Sequence, residues 1–179
     1  MLEIIVPENE FYHPGKNKFI TVPSCTLSLE HSLISIAKWE SKWHQPYLNA
    51  QKRTSAQELD YVRCMVIGTV KNDYVFSALS PENIKQIQEY IDDTMTATTF
   101  SKTPHSTSKQ IVTAEILYSR MFANNIPMEC QKWHLNRLLC LIRVCDASGA
   151  PPSKMSKKDT AARYADQNAL RRAQFKSKG

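Results

Sequence analysis

Chemistry, if the chain performs any, would have to come from a few side chains. Cys130 and His134 stand at i, i+4 spacing, with Cys140 and Cys145 downstream. Two such ligands would share one helix face, so a zinc site is geometrically conceivable, but the spacing matches no common closed site. A Cys–His nucleophilic pair meets the same objection, because nothing nearby supplies an orienting group or oxyanion donors. His13, His31, His44 and His105 are scattered, and Glu58/Asp60 and Asp92/Asp93 fall in cap or turn settings. The four glycines, at positions 15, 68, 149 and 179, cannot form a phosphate-cradling loop. These residues predict no catalytic site, no metal site and no cofactor.

The elements that would position them centre on Gln110 to Cys145, the most apolar long stretch. Asn124-Asn125-Ile126-Pro127 reads as a turn between two helices. Pro127 suits a first helical turn, and Glu129 favours the positive end of the dipole. Beyond it, Trp133, Leu135, Leu138, Leu139, Leu141, Ile142, Val144 and Cys145 surround most of the helical circumference. A helix so apolar belongs in a core or an interface. Ile111, Ala114, Tyr118 and Met121/Phe122 line one face of the preceding helix, which predicts antiparallel packing of the two as a hairpin. Trp133 is the expected structural anchor. Tyr118, Phe122, Leu138, Leu139, Leu141 and Ile142 are the candidate partner-binding surface.

Upstream, Leu2–Val6 and Lys18–Val22 are β-rich runs flanking a polar loop and predict a small two-stranded ribbon. A helical pattern begins near Ser28, carries Leu29, Leu33, Ile36, Ala37, Glu40 and Trp43, and ends before Pro46. Its Trp39 and Trp43, at i, i+4, suit packing better than a ligand cage. Thr54 with Gln57 reads as a capping box opening a helix to about Ile67, stopped by Gly68. Ser80-Pro81-Glu82 opens another, carrying Ile84, Ile87 and Ile91.

The domain organisation predicted is a ribbon plus helices over 1–92, a Ser/Thr-rich linker over 93–109, the hairpin over 110–147 and a basic tail over 148–179. Met95 and Phe100 should pin part of the linker to the body. The fold class predicted is mainly α, a helical bundle with a small N-terminal β-ribbon and a labile basic C-terminal helix. That last helix, from about Ser156 to Ala173, has mostly alanines on its apolar side, which bury little area.

The 179 residues carry a net charge of +6. Residues 151–179 hold eight Lys and Arg against two Asp, so this excess lies wholly in the tail and the first 150 residues balance. The five cysteines form no C-x-x-C pair, which favours reduced thiols in a cytosolic protein. No apolar run is long enough to span a bilayer, so a membrane role is not expected. The tail could contact phosphates or an acidic protein surface, but only Tyr164 and Phe175 interleave with its charges, and nucleic acid is the weaker reading.

Gln131–Cys145, QKWHLNRLLCLIRVC, together with APPSKMSKKD and Asn168-Ala169-Leu170-Arg171-Arg172-Ala173, resembles the tail assembly chaperones of tailed bacteriophages. The resemblance extends less closely to Met95–Phe100. It implies a virus-encoded, non-catalytic protein of the host cytoplasm, absent from the mature virion. The partner implied is the tape-measure protein, with the tail-tube protein and a second copy of the chain as further partners. Two alternatives stand beside it: a nucleic-acid-binding phage protein acting through the basic tail, and a minor structural protein of the tail.

Overall fold

The computed structural model describes residues 1–49, 52–100, 111–149 and, between 164 and 175, all but 166, 169 and 173. The chain forms two compact units, Met1–Cys145 and Asp146–Gly179.

The first unit begins with four strands, β1 (Leu2–Val6), β2 (Asn9–His13), β3 (Lys18–Val22) and β4 (Cys25–Leu29). They make two separate antiparallel sheets, β1 with β4 and β2 with β3. The expected single ribbon of 2–6 with 18–22 therefore does not form. In β4, Cys25, Leu27 and Leu29 alternate with polar residues. Leu27 and Leu29 are buried beside Ile4 and Val6 of β1, with Ile4 opposite Leu27. This period of two is a strand signal, and it displaces the helix expected from Ser28. In the inner ribbon, Asn17 turns the chain with φ of 48°, a left-handed conformation that asparagine tolerates.

Helix α1 (Leu33–Trp43) starts at Ser32, whose hydroxyl accepts from the Ser35 N–H while the Ser35 hydroxyl accepts from the Ser32 N–H. The expected capping box at Thr54/Gln57 opens α2 (Ser55–Met65), and the start expected at Ser80-Pro81 opens α3 (Pro81–Asp92) with a box between Ser80 and Asn83. Helix α2 stops before the expected Ile67 because residues 66–67 turn extended and join β4. Ile67 N–H donates to Ser28 and Glu30 N–H to Met65, both at 2.8 Å. Gly68 follows with φ of 91°.

The stretch 110–145 is not the predicted hairpin. Helix α4 (Ala114–Ala123) packs on α1. The second helix is interrupted: residues 128–132 form a 3-10 turn, Trp133 is extended, and α5 runs only from Leu135 to Gly149. The break serves tertiary bonding, since Leu135 N–H donates to the His31 carbonyl at 2.7 Å and Ser32 bridges His134. Helix α1, which packs against α2, α4 and the 3-10 turn, is the organising element. Its Trp39 and Trp43 donate their indole N–H groups to Gln57 O and Asp60 Oδ2 of α2.

The expectation of a helical bundle with one ribbon is thus overturned. Two small antiparallel sheets pack with the helices in a mixed α/β arrangement. In the second unit, the described residues between 164 and 175 are helical, with Tyr164, Leu170 and Phe175 exposed. The expected cap at Ser156–Asp159 lies outside the described residues. None of the described helices is long and apolar enough to cross a membrane.

Candidate functional site

The largest concentration of buried polar groups lies where α1, α2, α3 and α5 meet. His31 is 3% exposed and His134 6%. Asn136 N–H donates to His134 Nδ1 at 3.3 Å, so the ring proton belongs on Nε2, which faces the Tyr90 carbonyl at 2.9 Å. Both nitrogens of the histidine that a zinc site there would have needed are therefore occupied by protein. His31 Nδ1 lies 2.5 Å from the Tyr61 hydroxyl, and its ring meets His134 edge-on at a centroid distance of 5.1 Å.

Burial sets the protonation of this cluster. It lowers His31 to about 4, assisted by His134 and opposed by Asp92. Burial likewise raises Tyr47 to about 12 and Tyr61 well above the ordinary phenol range. Tyr90 is raised by burial and then by its 2.6 Å hydrogen bond to Glu30. Near neutral pH the imidazole of His31 is uncharged and these phenols hold their protons. Uncharged and hydrogen-bonded to one another, such groups cement a core. Among the described residues no three metal-ligating side chains converge, and all five cysteines are free thiols.

Over this cluster runs a trough made of two adjoining clefts. The first, about 360 Å³, lies between α2 and α3 and is lined by Leu59, Val62, Ile84, Ile87 and Ile91, with Glu58 and Gln88 at its rim. The second, about 300 Å³, shares Tyr47, Arg53, Gln88 and Ile91 and adds His31, Asp92, Leu135 and Asn136. Tyr47 and Tyr61 stack at 3.9 Å, and Arg53 caps Tyr47 at 4.2 Å while donating to its carbonyl at 3.0 Å. The trough thus grades from aliphatic to polar along two turns of α3. Its axis follows Ile84, Gln88 and Ile91, an i, i+4, i+7 stripe.

The residues singled out from sequence lie elsewhere. Leu138 and Ile142 are core residues, 0% and 2% exposed, because the face of α5 that carries them is turned inward. They cannot belong to a free surface. Leu139 and Leu141 are half-buried against that core. Tyr118 is half-buried, its hydroxyl donating to Gln131 Oε1 at 2.9 Å, and burial raises its phenol. Phe122 projects outward, 63% exposed. Trp133 is half-buried with Arg137 over its ring at 4.3 Å, a lesser anchor than the fully buried Trp39. The trough escaped the sequence reading because helical spacing groups Ile84, Ile87 and Ile91 alike and does not separate the buried Ile87 from the exposed Ile84. Their signal was an apolar stripe wider than one packing partner requires.

No family description, curated protein or solved structure matches the chain.

Proposed function

We propose that the protein is a non-catalytic tail assembly chaperone whose trough receives an amphipathic helix of the tape-measure protein. The observation that carries this reading is the open cleft between α2 and α3, where Ile84, 46% exposed, and the half-buried Ile91 flank Gln88 over the buried Ile87. Helix-in-groove recognition uses apolar anchors at i, i+3, i+4 and i+7, and two turns of α3 offer a matching length. The polar end, with Arg53, Asp92 and Asn136, would fix the client's register and polarity. The sequence resemblance around 131–145 and 168–173 supports the same assignment, and Phe122 offers a second contact point. Such a protein would work in the host cytoplasm and leave the tail before it is complete.

Co-expression with the tape-measure protein tests the reading. The intact chain should capture it at physiological salt, and Ile84→Asp, at an exposed position, should lose capture without a change in melting temperature. A chain lacking residues 151–179 should still capture. Tight DNA retention at that salt through the basic tail, with no tape-measure recovery, would replace this reading by a nucleic-acid one.

A further inference from the structure

We propose that Thr94–Phe100 is a strap covering a continuation of the trough on α5, and that an aromatic-bearing segment of the helical client displaces it. This inference rests on the chaperone reading and extends its site. Asn136 lines the polar end of the trough and also a third, open cleft of about 240 Å³ between the strap and α5, lined by Thr96, Phe100, Leu139, Cys140 and Arg143. One stripe of the helix holds the root of the strap through Asn136 and the strap itself through Cys140 and Arg143. Asn136 Nδ2 donates to the Ile91 and Asp93 carbonyls at 3.1 and 2.7 Å, Thr96 Oγ1 meets Cys140 Sγ at 3.6 Å, and Arg143 stacks on Phe100 at 3.9 Å. Residues 136, 140 and 143 stand at i, i+4, i+7, the same interval as Ile84, Gln88 and Ile91 of α3.

The strap's other hydrogen bonds are local turns, Met95 N–H donating to Asp93 Oδ1 at 2.9 Å and Thr98 N–H to Thr96 Oγ1 at 3.2 Å. It forms no helix or strand, Met95 sits at φ of 50°, and Thr94, Met95 and Ala97–Thr99 are exposed. A left-handed non-glycine residue costs free energy that release would recover. The gap beneath the strap leaves Leu139 incompletely packed. What the surface accepts is shown by its present occupant: an aromatic ring over the Arg143 guanidinium, an interaction worth most when shielded from water. A client segment presenting an aromatic ring there, continuous with a helix in the trough, would engage both α3 and α5.

Two measurements on the full chain test this. Replacing Phe100 with Ala should speed alkylation of Cys140 by iodoacetamide about two- to fivefold, the factor expected from loss of one exposed cation–π contact, while buried Cys130 is unaffected. An unchanged Cys140 rate means that the strap does not open, and overturns the proposal. Thr96→Cys, oxidised with glutathione disulfide to bridge Cys140, should capture the tape-measure protein at least about tenfold less well than its reduced form or Thr96→Ser. Equal capture by bridged and reduced forms overturns the strap and leaves the chaperone reading standing. Failure of the reduced form and of Thr96→Ser to capture at all removes the chaperone reading, and the strap's role with it.

Discussion

His31 shows how a single buried side chain ties stability to pH. Its imidazole titrates near 4 in the folded chain, against about 6.5 when unfolded. Between those values the unfolded chain binds more protons, so stability is full above pH 6.5 and falls as pH drops toward 4. The loss should be on the order of 3 kcal/mol. Urea unfolding from pH 7 to 4 should show a shallower slope in His31→Gln than in the parent; equal slopes would contradict the assignment. Glu40 does a different service. Buried at 8% exposure, it accepts from Tyr47 N–H with one carboxylate oxygen and from Ala114 N–H with the other, each at 2.7 Å. It thereby caps α4, whose own Thr113 makes no side-chain cap. Glu40→Ala leaves two buried donors unpaired and should cost about 2–5 kcal/mol in chemical denaturation. The two tryptophans divide similarly: Trp39→Ala should cost about 3–5 kcal/mol, and Trp133→Ala clearly less, because its ring is half-exposed.

Among the elements, those with local signals were legible and those defined by distant partners were not. Capping boxes at Thr54 and Ser80 announce α2 and α3 because the reciprocal hydrogen bonds involve residues three apart. Strand pairing has no such local signature. Leu2–Val6 and Lys18–Val22 were both recognisable as strands, but their true partners, Cys25–Leu29 and Asn9–His13, carry weaker β composition and were passed over. The end of α2 and the break before α5 have the same origin. Val66 and His134 leave helical geometry to bond β4 and Ser32, contacts that periodicity cannot reveal. The partner surface was misassigned in part for this reason: with α4 on α1, the inward side of α5 claimed Leu138 and Ile142. Within the linker read over 93–109, Phe100 is pinned to the body as expected, under Arg143 at 3.9 Å, whereas Met95 is exposed and 101–109 lie outside the described residues.

At the scale of the whole molecule, a neutral body with a graded apolar trough is joined in sequence to a tail holding the net charge of +6. Under the proposed function, that division would place the grip on a client in the body and leave the tail at most a steering role, screened by salt. Virions purified to homogeneity should accordingly lack this chain by mass spectrometry; stoichiometric presence would favour a structural tail protein. The central claim, that the trough between α2 and α3 holds the tape-measure helix, is tested most directly by site-specific photocrosslinking. A photoreactive phenylalanine in place of Ile84 should yield an adduct with the tape-measure protein, mapped to an amphipathic helical segment, while the same probe in place of exposed Lys18 on β3 should yield none. Equal adducts at both positions, or none at Ile84 under conditions where the two proteins co-purify, would contradict it.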